Sequence, residues 1–347
     1  MNRCCSSLLD FIALSAIALL LSACGGGGDG GGASTGSLSL SVTDSPVTED
    51  VAVCIHFTGI SLHHSDGDLI QIPYDSSTYY DPADGCIDNV DPNNLGPQDD
   101  PSKNAVALSA LQGVLSVQLM DSQEVKAGRY SWIRLDVDES LSYVVDSGGH
   151  KNLSCPSCSA DQSGLKLIQG ITVPAGGAAN FMIDIDLAKS LNKQPSGDYK
   201  LRPTLRLVDL SETGTISGSV DGSLIPGMIS ETDTGCRVYV YSDHDITPDD
   251  IHDGDNVLTT AKVLYEPGTM TYRYVAAYLP TDSTTDPMPY TVALTCDADD
   301  PEVDQNNDPG NLNGTDVIFN DGVTVGIGQN ANLSTNQTTV INFPPVI

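Results

Sequence analysis

Phe181-Met182-Ile183-Asp184-Ile185-Asp186-Leu187 is the stretch whose reading decides the fold class. Phe181, Ile183, Ile185 and Leu187 alternate with Asp184 and Asp186. At helical spacing the acids would share a stripe with the isoleucines. In a strand, successive side chains point to opposite faces, so both acids fall on the wet face. The same period recurs on either side of this segment. Leu38, Leu40 and Val42 alternate with serine and threonine, and Val51, Val53, Ile55 and Phe57 form another such face. Ile133, Leu135 and Val137 oppose Trp132, Arg134 and Asp136, and Leu201, Leu205 and Leu207 follow. Clusters of Gly, Pro, Asp and Asn separate these short runs, the pattern of a sandwich or barrel. The expectation is an all-β chain of two β-sandwich domains in tandem.

Two segments depart from that period. Residues 105–119, rich in Ala, Leu and Val, suit a short helix or a strand pair. Residues 74–103 are polar, with Pro and Asp throughout, and read as a surface insertion. A boundary falls near residues 211–213. Leu201 to Val208 closes one unit, and Gly214-Thr215-Ile216-Ser217-Gly218-Ser219-Val220 opens another. Val238-Tyr239-Val240-Tyr241, Tyr272-Arg273-Tyr274-Val275 and Tyr290-Thr291-Val292-Ala293-Leu294 supply its strands, with residues 323–327 and 338–343 closing it. The expected domains are 37–211 and 212–347.

The first residues read as an address. Arg3 precedes a short apolar run over residues 8–21, interrupted by Asp10 and two serines. It is too short to span a bilayer stably and suits a secretory signal. It ends in Leu21-Ser22-Ala23-Cys24, which resembles the lipobox of bacterial lipoproteins. The resemblance implies cleavage of residues 1–23 and lipidation of Cys24. Gly25 after the cysteine implies sorting to the outer membrane. Residues 24–36 are then a Gly-rich tether. They hold the folded part roughly 20 Å from the bilayer by the random-coil relation. The lipid bilayer is thus an expected partner, through the anchor alone.

The formal net charge is −31, with Lys+Arg 15 against Asp+Glu 46. Such an excess repels phosphate, so nucleic acid and anionic lipid surfaces are excluded as main partners. Acid runs leave room for a cation instead. Asp304, Asn306 and Asp308 place oxygen ligands at alternate positions before Gly310, like the start of a calcium loop. Glutamate is missing at the twelfth place, where Thr315 stands. A second run gathers Asp243, His244, Asp245, Asp249, Asp250, Asp253 and Asp255. Calcium is the one cofactor these residues suggest.

Once the signal and Cys24 are set aside, six cysteines remain: Cys54, Cys86, Cys155, Cys158, Cys236 and Cys296. An even number in an exported chain favours disulfides. The domain boundary leaves Cys236 and Cys296 to pair with each other. The pair Cys155-Pro156-Ser157-Cys158 lies at a predicted hairpin tip, and a local bond there leaves Cys54 for Cys86. No helix follows Cys155 to lower its pKa, so the redox reading is weak. The six histidines form no H-E-x-x-H pattern, and no G-x-S-x-G elbow occurs. His63 and His64 point to opposite faces of one strand. Tyr272, Tyr274 and Tyr278 on one strand face, with Tyr239 and Tyr241 on another, could stack on sugar rings or cap a core.

Two resemblances add to this reading. Ser39-Leu40-Ser41-Val42-Thr43-Asp44-Ser45-Pro46, residues 127–135 (Ala-Gly-Arg-Tyr-Ser-Trp-Ile-Arg-Leu), Gly164-Leu165-Lys166-Leu167-Ile168, residues 172–177 and Leu201-Arg202-Pro203-Thr204-Leu205-Arg206-Leu207 stand in family order. They resemble the bacterial lipoprotein family called domain of unknown function 4382, over residues 36–210. The insertion at 74–103 and the Cys155–Cys158 loop depart from it. The second unit is similar, more weakly, to carboxypeptidase-regulatory-like domains of the transthyretin type. That likeness implies a sandwich grouped with carbohydrate-binding-like folds, and fold alone does not transfer ligand binding. The expected function is a membrane-anchored, non-catalytic binding module for a glycan or a protein partner. The alternatives are a structural or adhesive envelope component stabilised by calcium and disulfides, and a hydrolase.

Overall fold

The computed structural model describes residues 34–45, 51–74, 105–111, 113–158, 164–225, 233–248, 257–296 and 328–343. Ser34–Ile347 forms one compact unit. The chain is nearly all β. Its first half carries β1 (Thr35–Ser45), β2 (Ala52–His64), β3 (Leu69–Pro73), β4 (Ala105–Ala107), β5 (Val117–Lys126), β6 (Gly128–Val137) and β7 (Tyr143–Asp146). There follow β8 (Gly149–Ser154), β9 (Leu165–Leu167), β10 (Ile171–Val173), β11 (Ala178–Asp186), β12 (Leu191–Lys193), β13 (Tyr199–Leu201) and β14 (Leu205–Asp209). The second half carries β15 (Thr213–Val220), β16 (Asp233–Ser242), β17 (Val257–Glu266), β18 (Thr271–Pro280), β19 (Met288–Thr295), β20 (Gln329–Leu333) and β21 (Thr338–Val340).

Two sheets enclose the first core. One is four-stranded, β14-β11-β1-β5; the other is ten-stranded, built on β10-β6-β2-β7-β8-β13-β12 with β3, β4 and β9 attached. The alternating apolar residues point inward: Leu38, Leu40, Val42, Ile133, Leu135, Ile183 and Ile185 have no exposure. Phe57 and Ile60 both face the core although three positions apart, because a bulge between Phe57 and Gly59 shifts the register against β6. Seven strands, β20-β19-β16-β17-β18-β15-β21, form a third sheet, that of the second half. It curls until its edges meet, where Thr339 Oγ1 donates to the Asn332 carbonyl at 2.6 Å. Val238, Val240, Val263, Tyr274, Leu279, Val292 and Leu333 fill the space it encloses. Among the described residues no strand pairing joins β1–β14 to β15–β21, although both sets belong to the one compact unit.

Four expectations need correction. The stretch 105–119 holds β4, a 3-10 turn over Leu108–Ala110 and the start of β5, without an α-helix. Leu187 does not continue β11; it begins a four-residue helix, α1 (Leu187–Ser190), because the Asp186 side chain accepts from Lys189 N and caps it. Tyr278 leaves the face of Tyr274. It adopts φ 55° at a bulge, so Leu279 takes the core position and the Tyr278 hydroxyl donates to the Val114 carbonyl at 2.7 Å. Lastly, Asp184 and Asp186 are on the face away from the first core, as alternation requires, but that face is not wet. They are 3% and 6% exposed because the seven-stranded sheet of the second half lies over them.

Candidate functional site

The covering of that acidic face creates the site. β11 pairs with β14 so that Asp184 stands opposite Arg206, and β1 runs parallel to β11 with Thr43 opposite Asp184. Directly opposed, oppositely charged side chains on neighbouring strands stabilise each other. Arg206 Nη2 donates to Asp184 Oδ2 at 2.6 Å and Nε to the same oxygen at 3.2 Å. Lys189 lies 3.5 Å from Asp186 Oδ2 and reaches across to donate to the Val257 carbonyl. Beside this polar group an apolar seam holds the halves together. Ala188 packs with Tyr239, Tyr241, Val257 and Ala293, and both tyrosines are fully buried. Tyr239 and Tyr241 are therefore interface residues and not an exposed stripe.

Between the halves lies a cavity of about 340 Å³. Asp184, Asp186, Lys189, Thr204 and Arg206 line it from the first half, and Ser242, Ile246, Val257 and Leu258 from the second. Its charged side chains balance, two carboxylates against two cations. Burial pushes the Asp186 carboxyl up to about 6, opposed by the nearby Lys189 ammonium. Arg206 Nη1 is buried without a hydrogen-bond partner, a donor left over by the Asp184 pair. Further in, Asp44 accepts from Leu187 N at 3.1 Å through Oδ1, while its Oδ2 has no partner. Burial raises the Asp44 pKa well above the usual carboxylate range.

The described cysteines are in bonds. Cys155 is joined to Cys158 and Cys236 to Cys296. The second bond links neighbouring strands, since Arg237 pairs with Thr295 in the β16–β19 register. Cys54 is disulfide-bonded, and its expected partner Cys86 lies outside the described residues. Cys24 also lies outside them, as do Asp304, Asn306 and Asp308. Among the described residues no group of three or more His, Cys, Asp or Glu could hold a metal ion. Of the second acid run, Asp243 Oδ1 accepts from His244 N at 2.8 Å and Asp245 Oδ1 from Asn330 Nδ2 at 2.8 Å. Those acids shape a turn, with Asp243 and Asp245 at positive φ. Asp249, Asp250, Asp253 and Asp255 lie outside the described residues. His63 and His64 do face opposite ways: His63 stacks on Trp132 on the outer face, and His64 is buried against Tyr130.

Sequence reasoning missed Asp44, Lys189 and Arg206 as site residues. The signal was partly present, in an acid at the end of β1 and an arginine on a strand that follows the Asp184–Asp186 strand. What no local pattern contains is the seven-stranded sheet that covers them.

Residues 35–203 match the family model described as a domain of unknown function, 4382. No curated protein matches the chain. Among solved structures, the chain is similar to one described as a candidate cell adhesion protein of Bacteroides fragilis. Identity is 8%, coverage is 88% of this chain and 92% of that one, and the TM-score is 0.19. The minor pilin of Streptococcus agalactiae gives 9% identity, 88% and 94% coverage, and a TM-score of 0.18. A candidate cell adhesion protein of Bacteroides eggerthii gives 10%, 90% and 88%, and 0.20.

Proposed function

With residues 35–203 matching the domain of unknown function 4382, we propose that the chain is an exported, lipid-tethered binding protein that acts without catalysis. Its ligand site is the cavity between the two halves. One observation carries this: both halves line a single cavity of about 340 Å³, the first with polar side chains and the second with Ser242 and three apolar ones. That volume lies within the roughly 300–1,000 Å³ of small-molecule sites, which favour such boundaries. The charges lining it are already balanced, so a charged ligand would find no surplus to meet it. A neutral, hydroxyl-rich ligand fits better. Its hydroxyls can donate to Asp186, accept from Arg206 Nη1 and exchange bonds with Thr204 and Ser242. Its apolar face can rest on Ile246, Val257 and Leu258. The end of a glycan chain has that chemistry.

The Cys24 lipobox and the glycine tether support location at the envelope. Among the described residues no helix is long and apolar enough to cross a membrane. A glycan array followed by calorimetric titration of the best saccharide tests the reading. Binding should weaken by about 10–100-fold in Arg206→Gln, the span expected when a hydrogen bond to a charged group is lost. Unchanged affinity in that variant would place the site elsewhere. Turnover of the bound saccharide would overturn the non-catalytic half of the proposal.

A further inference from the structure

A different face of the first half carries a second surface. Arg129, Trp132, Arg134 and Asp136 of β6 lie on the face away from the core, beside His63 of β2 and Lys166 of β9, with Ser61 buried beneath the Arg134–Asp136 pair. His63 stands opposite Trp132 and, on its other side, opposite Leu69 of β3. Leu167 pairs with Ile133, and Ile168 follows it just past the end of β9. Leu69, His63 and Trp132 form one cross-strand row with Ile168 beyond it, and Leu69 is 52% and Ile168 82% exposed. Isolated exposed aliphatics are ordinary; a row of them around the only tryptophan of the chain is less so.

Cations flank that row. Lys166 Nζ lies 4.4 Å from the Trp132 ring centroid and Arg134 Cζ 5.8 Å. Arg134 is also bound to Asp136 at 2.6 Å. Lys166 and Arg129 have no carboxylate partner among the described residues. In a chain with 46 acidic and 15 basic residues, most cations would be expected to find one. Tryptophan and arginine amid aliphatics, rimmed by unpaired cations, is the composition of a protein-docking patch. The indole already carries two close partners, His63 stacked at 5.2 Å and Lys166 Nζ at 4.4 Å from its centroid. A sugar ring would have to displace one of them, whereas aliphatic side chains can lie along Leu69 and Ile168.

We infer that this outer face of β2, β6 and β9 docks an acidic protein segment bearing apolar side chains. The surface is independent of the cavity between the halves. Because Trp132 is the sole tryptophan, its fluorescence reports on this patch alone. The test titrates the full chain carrying Cys24→Ser with a synthetic peptide of alternating glutamate and leucine. A glutamine-for-glutamate peptide and polygalacturonate form parallel arms. The expected result is a saturable change in Trp132 emission with the glutamate peptide, weakening as salt rises. Lys166→Glu with Arg129→Glu should reduce affinity by about tenfold or more, without a change in melting temperature. Leu69→Ser with Ile168→Ser should weaken binding with the salt dependence kept. Equal affinity for the glutamine peptide, or no effect of either double variant, would overturn the inference. So would saturation by polygalacturonate where the glutamate peptide gives none, which would make the partner an acidic glycan.

Discussion

Asp186 concentrates the energetics of the site in one carboxyl. Its folded pKa is about 6, raised chiefly by burial, against an unfolded value of about 3.9. Between those values the folded chain holds a proton that the unfolded chain has released. Stability from this group is therefore highest in acid and falls as pH rises from about 4 to 6. The loss reaches about 3 kcal/mol by neutral pH. Asp44, also raised by burial, acts in the same direction. Asp146, Asp221 and Asp282, held below the usual range by their partners, act in the opposite one. The readout is accordingly a difference: Asp186→Asn should gain stability relative to the parent chain as pH goes from 4 to 7. Denaturant unfolding of both chains across that range measures it. A constant gap would mean that the Asp186 pKa is the same in the folded and unfolded chain. The alternation around Ile183 and Ile185 made the direction of Asp186 legible in the sequence. Its burial was not legible, because the atoms that bury it come from residues some 60 to 70 positions later.

Strands and their bonds make the next level. Periodicity located β1, β2, β6 and β11 and their inward faces correctly, because a sheet with one buried face writes itself as alternation. It failed where a bulge broke the count, as at Tyr278, and where a side chain capped a turn, as at Asp186. The Cys236–Cys296 bond closes the β16–β19 pair near the end of both strands. Replacing both cysteines with alanine should cost about 2–5 kcal/mol. A loss of that size in reversible denaturant unfolding is the expected outcome, and a loss near zero would show that strand pairing alone holds this end. Tyr241→Ala should cost about 3–5 kcal/mol by leaving a hole in the seam between the halves. A cost below about 1 kcal/mol would mean that the seam closes over the gap.

At the scale of the molecule, the two halves are separate in backbone pairing and joined in packing. In the sequence, glycines and polar residues end one periodic run near residue 212 before another begins. The sequence could not show that the outer face of one sheet is the roof of the other, because both faces carry ordinary strand residues. The acidic face of the first half is neutralised by its own lysine and arginine and then covered, which turns a surface into a cavity. Cys24→Ser should release the chain from membranes, as fractionation would show, and membrane association without lipid on the N-terminal peptide would contradict the tether. The claim that both halves form one ligand site has its own direct test. Titrate the array-selected saccharide calorimetrically into the parent chain, Arg206→Gln and Leu258→Trp. The last fills the cavity from the second half. Loss of binding in both variants, with folding kept, is the predicted result. Full affinity in Leu258→Trp would contradict a site shared between the halves.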